Sequence, residues 1–383
     1  MRHYLDHNAT APVRPEVIDL IAETMRHDGN SLSVHEEGRS AHKILEDARE
    51  QVRSLVNAPV NGVIFTSGGT ESIHYALHGV MAPHKIKRFF ISAIEHTAVA
   101  ANAETTGADI EFIPALRSGV VDLAWLKDRL KDYDVDRDGG FMVCVMFANN
   151  ETGVIQPVAE AAEITHDAGG LLFCDAAQAV GKVPVNFVMS GADIMSFTGH
   201  KFGGPVGVGA LVAGPNLPLE PQLRGGGHES NRRAGTHNVA GIAGLGLACA
   251  LAKETVAHAG DIAALRNRME DAAIEAGAKI WGASEERLPG TLCLSADGFP
   301  GATQLMTMDL AGLAISAGSA CSSGKTKPSH VLVAMGASDE EATSAIRVSL
   351  GWNSTAEDAD AFIETWPKAY ERIKVRSEQK GAA

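Results

Sequence analysis

Seven short apolar runs alternate with helical stretches between residues 62 and 214, and this alternation limits the fold more than any other feature of the chain. The runs are GVIFTSGG, RFFISAIEH, DIEFIPA, GGFMVCVMFANNE, LLFCDAAQ, ADIMSFTGHK and VGALVAG. Most of their cores are apolar at consecutive positions, as in strands buried on both faces. Helical stretches such as VAEAAEITHDAG lie between most of them and supply crossover connections. The expected architecture is therefore α/β, with a mostly parallel seven-stranded sheet.

The flanks differ. A helix is expected to start near Pro15, a favoured first-turn residue, and another to run from about Ser40 to Asn57. From Asn238 a long small-residue helix leads into DIAALRNRMEDAAIEAG, then TLCLSA, LAISAG and AIRVSLG, then a last helix from about Glu357 to Arg372. The final SEQKGAA reads as a frayed tail. This pattern predicts a large α/β domain over 13–252 and a smaller α+β domain from 1–12 and 253–383.

Charge and cysteine content narrow the function. Lys+Arg number 33 against 47 Asp+Glu, so a net charge of −14 argues against nucleic acid or an anionic membrane as partner. The five cysteines are scattered, with no zinc spacing, so no metal site and no disulfide framework is expected, and the setting is a reducing cytoplasm. MRHYLDHNATAPV lacks a secretory h-region. The run GIAGLGLACALA reads as too short and too small-sided to cross a membrane and suits a core helix.

In a parallel sheet, ligands bind where strands end. FTSGGTES opens a helix after a strand, with Gly68 and Gly69 allowing close backbone approach and Thr70 placed to cap; such a terminus favours an anion, although plain capped turns look alike. Asp175 ends the run LLFCD and needs a partner there, either a cationic ring nitrogen or the next helix's N–H groups. Lys201 stands between a strand and a glycine-rich segment in SFTGHKFGGPVGVGAL, flanked by Phe197 and Phe202. A lysine in a partly apolar pocket loses its proton readily and forms Schiff bases. Lysine plus a strand-end acid is the protein signature of pyridoxal 5'-phosphate sites. His96 in EHTAV could stack on such a ring or merely cap a helix. Arg232, Arg233 and Thr236 precede the long helix, another anion-friendly terminus. Arg347, inside an apolar strand, needs a carboxylate from substrate or from the chain. Cys321 sits in SAGSACSSGKTKPSH among small residues and could be a packed hydrophobe, a ligand or a nucleophile. Residues 322–328 are expected to be mobile.

These segments together resemble the cysteine desulfurases of the NifS/IscS type, in the class V aminotransferase group of fold-type I pyridoxal-phosphate enzymes. The resemblance runs through YLDHNATAPV, FTSGGTES, EHTAV, NNETGV, DAAQAVGK, SFTGHKFGGPVGVGAL, GGGHESNRRAGT, GSACSSG and IRVSLGWNST, in family order over essentially the whole chain. It implies that Lys201 carries the cofactor, Asp175 pairs with its ring nitrogen, Gln178 contacts its phenolic oxygen and His96 stacks on the ring and aids proton transfer. Gly69, Thr70, Thr198 and His200 would hold the phosphate, and Thr236 would reach the phosphate of a neighbouring subunit, which implies a homodimer. Asn150 and Arg347, with Asn8 nearby, would hold the substrate carboxylate. Cys321 would take sulfur from L-cysteine as a persulfide, leaving L-alanine, and pass it to an acceptor protein such as an iron–sulfur scaffold. A selenocysteine lyase or another class V enzyme is the rival reading; an ordinary aminotransferase has no use for Cys321. One departure is Gly69, where many relatives carry alanine; the backbone donor is the same.

Overall fold

The computed structural model describes residues 2–317 and 328–381. Cys321, Lys325 and Lys327, and all but Pro328 of the segment expected to be mobile, lie outside the described residues. Among the described residues the strands are β1 (His3–Tyr4), β2 (Val63–Thr66), β3 (Ile86–Ser92), β4 (Asp109–Ile113), β5 (Gly140–Cys144), β6 (Leu171–Asp175), β7 (Ile194–Thr198) and β8 (Gly209–Ala213), followed by β9 (Lys279–Ile280), β10 (Thr291–Ser295), β11 (Leu313–Ala314), β12 (Ser316–Ala317) and β13 (Ile346–Ser349).

All seven apolar runs enter one sheet of order β2-β8-β7-β6-β5-β3-β4. β3–β4, β3–β5, β5–β6 and β6–β7 pair in parallel, whereas β8 is antiparallel to both its neighbours. Alternate side chains of one strand serve two separate cores. Phe141 and Val143 of β5 pack in one cluster, and Met142 and Cys144 pack in the other. That is why these runs are apolar at consecutive positions rather than at every second one. In β6 and β7, Asp175 stands opposite Ser196, so both strands deliver their C-terminal residues to the same edge.

The helix Glu36–Val56 buries Leu45, Ala48, Val52 and Val56 and packs against the helix Val239–Ala257. Full burial of each Leu or Val side chain is worth about 1.5–3 kcal/mol. Gly246 lets the two helices touch: a Cβ there would lie 2.6 Å from Ala48 Cα. The helix Val239–Ala257 is 19 residues long, and by length and composition alone it would suffice to cross a membrane, so the expectation that this run is too short is corrected. Here its apolar side chains, Leu245 and Cys249 among them, are buried against protein.

A second sheet, β12-β13-β10-β9, is antiparallel throughout, and the short pair β1–β11 lies outside both sheets. LAISAG thus splits: its first half pairs with the N-terminus and its second with β13. Asp6 also bridges Ser349, so the first residues of the chain lie against its last strand. The terminal helix runs Ala356–Gly381, and the tail expected to fray is instead helical through Gly381. Its Arg, Glu, Gln and Lys residues are good helix formers.

Candidate active site

A cavity of about 190 Å³ opens at the C-terminal edge of β5, β6 and β7. Its wall includes Gly69, Thr70, Thr198 and His200 on one side and Asp175, Gln178, Lys201, His96 and Asn150 on the other. Residues spread over 132 positions of sequence meet there because parallel strands end on a common edge.

The helix Gly69–Gly79 begins at this wall with Gly68 at its cap, in a conformation (φ 153°, ψ −178°) that only glycine adopts readily. Thr70 is therefore not the cap; it sits in the first turn, exposed. Glu71 reaches back to accept from Ser67 N at 2.7 Å and takes Arg233 through both oxygens at 2.8 and 3.1 Å. Burial works against the Glu71 carboxylate, but Arg233 and Ser67 outweigh it and hold its pKa low. Arg232 donates to the carbonyls of Glu229 and Asn61. The arginines before the long helix are thus tied into the chain rather than left open to an anion.

His96 serves as both a cap and a wall. Its Nδ1 accepts from Ala98 N at 3.2 Å at the start of the helix Thr97–Glu104, and its exposed ring borders the cavity. Desolvation lowers its pKa, against the pull of Asp175, so the ring is largely neutral near pH 7. Asp175 is buried, and both its hydrogen bonds, from Ala177 N at 3.0 Å and Ser196 Oγ at 3.4 Å, land on Oδ1. Burial raises its pKa, opposed by the Ala177 N–H, His96 and Lys201. A cation placed at Oδ2 would reverse that shift.

Lys201 closes the one-turn helix Gly199–Lys201 after β7. Its Nζ donates to the carbonyls of Asn8 at 2.8 Å and Ala9 at 2.9 Å. Burial first, and then the Arg347 charge, lower its pKa to about 8. His200, beside it, is lowered to about 4 by burial and by Lys201 and Lys182. Thr198 Oγ1 donates to Val208 O at 3.0 Å.

Asn8 and Arg347 stand one layer behind the wall. Asn8 is buried, its Nδ2 donating to Thr291 Oγ1 at 2.9 Å and to Asn150 O at 3.3 Å. Arg347 NH1 donates to the same Asn150 carbonyl at 3.0 Å, and its NH2 pairs with Asp6 at 2.9 Å. The chain itself supplies the carboxylate that the arginine in an apolar strand required. Arg347 Nε and Asn150 Oδ1 are buried without a hydrogen-bond partner among the described residues. Thr236 is exposed on the loop before the helix Val239–Ala257 and is not part of the cavity wall.

Two groups near the cavity carry no clear sequence signal. Lys182 bonds to Gln178 and Asn8 at 2.6 and 2.7 Å. Lys182 closes the segment DAAQAVGK, but a lysine set among Val180, Gly181, Val183 and Pro184 does not itself announce an inward side chain. The buried Glu151 accepts from Ser329 Oγ at 2.5 Å, and His330 Nε2 lies 2.9 Å from Glu95 O. No local pattern announces pairs this distant in sequence.

The model of the class-V aminotransferase family matches residues 3–362. The IscS-like cysteine desulfurase of Mycobacterium tuberculosis is 37% identical, over 97% of this chain and 97% of its own. The solved NifS-like protein from Rickettsia africae superposes with a TM-score of 0.88 at 32% identity, covering 97% of this chain and all of that one. A structure described as SspA in complex with cysteine gives 0.78 at 26% identity over 91% of this chain and 98% of that one. Full-length similarity at this level, with the strand-end lysine and acid in one cavity, identifies the group: the chain belongs to the class-V aminotransferase family and, within it, to the cysteine desulfurases of the NifS/IscS type.

Proposed function

We propose that this protein is a pyridoxal 5'-phosphate-dependent cysteine desulfurase that converts L-cysteine to L-alanine and collects the sulfur as a persulfide on Cys321. The observation that carries the reading is Lys201 and Asp175 facing one cavity, the amine with a lowered pKa and the carboxylate with Oδ2 unengaged among the described residues.

The residues fit the cofactor. Asp175 Oδ2 is available for a protonated ring nitrogen, and the His96 ring borders the same space. Gly69, Thr70, Thr198 and His200 gather at a helix N-terminus, where backbone N–H groups favour a phosphate. A Cβ on Gly69 would lie 3.8 Å from Thr198 Cγ2, an ordinary contact, so glycine and alanine suit this cradle equally. When bound, the cofactor draws electrons from the substrate's Cα and so loosens its Cβ–Sγ bond.

The chain's own residues do the rest. Asp175 keeps the ring nitrogen protonated by its charge, and Gln178 donates toward the ring's phenolic oxygen. Lys201 Nζ, with its pKa lowered to about 8, takes the Cα proton and returns it. Arg347 Nε, buried without an acceptor among the described residues, and the side-chain N–H of Asn150 receive the substrate carboxylate. A thiolate at Cys321 attacks the substrate sulfur. The Cys321–sulfur bond forms and the Cβ–Sγ bond breaks with its electron pair on carbon. Protons complete the methyl group of alanine, and the sulfur stays as the Cys321 persulfide. It then passes to an acceptor protein serving iron–sulfur cluster or other sulfur-compound synthesis in the cytoplasm.

We also propose the division into 13–252 and 1–12 with 253–383, its second boundary falling inside the helix Val239–Ala257. A homodimer completes the reading, since Thr236, exposed and outside this cavity, is available to a neighbouring subunit's phosphate. The test is mass spectrometry of the protein after L-cysteine. One added sulfur on Cys321 with alanine released is expected; sulfide release that survives Cys321→Ala undiminished would overturn the proposal.

A further inference from the structure

Lys182 has a partner set unusual for a lysine. As a whole it is only partly exposed, and its Nζ points inward between two buried amides. It donates to Gln178 Oε1 at 2.6 Å and to Asn8 Oδ1 at 2.7 Å. No carboxylate lies within salt-bridge distance of it among the described residues. Its charged neighbours are Lys201 and Arg347, which work against its positive charge along with desolvation. Holding a cationic head beside two others without a counter-charge costs stability, so packing alone does not account for it.

The two amides are the point. Asn and Gln can present either end of the amide, whereas a lysine ammonium only donates, and both bonds of Lys182 Nζ run to amide oxygens. Lys182 therefore fixes which way both face. Gln178 Oε1 is turned back to Lys182, so Nε2 faces forward, giving one N–H to Asn8 O at 2.9 Å and leaving the other for the cavity. Asn8 Oδ1 is likewise turned back, so Nδ2 reaches Thr291 and the Asn150 carbonyl. The Asn8 carbonyl that Gln178 touches is also one of the two that hold Lys201 Nζ. One amine thus sets the donor and acceptor polarity of a layer that ends on Lys201, Gln178 and Asn150.

We propose that Lys182 is a positioning residue: through Gln178 and Asn8 it presents an N–H, rather than a carbonyl oxygen, to the phenolic oxygen of the cofactor. This rests on the cofactor reading given above. Without Lys182, the Gln178 amide keeps only its bond to Asn8 O to oppose a flip that would meet that oxygen with its own.

The test is the equilibrium dissociation constant of pyridoxal phosphate, measured by dialysis for the wild type, Lys182→Met, Gln178→Ala and the double variant, with the thermal midpoint of each cofactor-free protein alongside. Lys182→Met should weaken retention about tenfold, the size of one lost cofactor hydrogen bond. Its cofactor-free midpoint should be unchanged or higher. The double variant should be no worse than Gln178→Ala, because the lysine acts through the amide. Lys182→Arg, which also only donates, should restore most of the affinity. Should Lys182→Met not fold, Lys182→Gln, which keeps one donor group, should show an intermediate loss. Either folded variant binding as tightly as wild type, or losses that add in the double variant, would overturn the proposal. Failure of the wild type to take up the cofactor at all would instead sink the cofactor reading, and this inference with it.

Discussion

The cavity around Lys201 and the ends of the Cys321 segment are built differently. At the cavity, Asp175 and Thr198 end neighbouring strands of one buried sheet, and the other wall residues lie on the turns and helix starts that follow its strands. The cysteine segment follows β12, whose Ser316 pairs with Arg347, and resumes at Ser329 and His330, which reach across to Glu151 and Glu95. The residues just before 318 belong to the second sheet through β12, and after 327 Ser329 and His330 are tied by long-range bonds. On the proposed mechanism, Lys201 and Asp175 are the groups that need a rigid frame.

The largest expected effect separates the two regions. Lys201→Ala should abolish desulfuration, by at least about a thousandfold, as loss of a catalytic base does, and should remove the absorbance at about 400–430 nm expected of a lysine-bound cofactor. Cys321→Ala should abolish persulfide formation as completely yet keep that absorbance. A Cys321→Ala protein that lost its colour would show that the regions are not separable.

A smaller effect should follow from cutting one anchor. Ser329→Ala leaves the buried Glu151 Oε2 without its donor, a loss of about 1–3 kcal/mol. We expect a lower thermal midpoint and slower persulfide formation, with cofactor absorbance unchanged. An equal loss of cofactor affinity would mean that the anchor serves the cavity as well.

The smallest effect is electrostatic. Lys201 titrates near 8 in the folded, cofactor-free protein, below the ordinary lysine value of 10.5. Between these values the unfolded chain binds more protons, so this group's contribution to stability is full above about 10.5 and is lost as the pH falls through 8. Lys201→Met should flatten this part of the stability profile of the cofactor-free protein, measured by denaturant unfolding from pH 7 to 10.5. An unchanged slope would show that the amine is not desolvated.

Much of the cavity is legible in the sequence because its parts are local. Asp175 ends an apolar strand and Lys201 closely follows another, and a parallel sheet sends such ends to one edge. His96 is legible as either cap or wall, and it is both. Arg347 is legible as needing a carboxylate, but its partner, Asp6, lies 341 residues away, and no periodicity connects them. Lys182 stands in plain view after Gln178, and nothing in its spelling tells an inward lysine from a surface one. The terminal helix and the helix Val239–Ala257 are both longer than their sequences suggest. In the first, the polar tail after Arg372 points to an early end; in the second, glycines that are poor helix formers alone are used for close packing on Ala48.

Hydrophobic pattern and chain direction, which act over a few residues, are enough to specify the alternation of strands and helices, the large sheet, and the strand-end residues that face the cavity. They are silent on three long-range arrangements that tertiary packing settles. The first ten residues supply the carbonyls holding Lys201, Asp6 neutralises Arg347, and Lys182 turns inward to orient two amides. Such polar bonds form only after the two ends of the chain have been packed together, because a buried donor takes whichever acceptor the completed fold brings within reach.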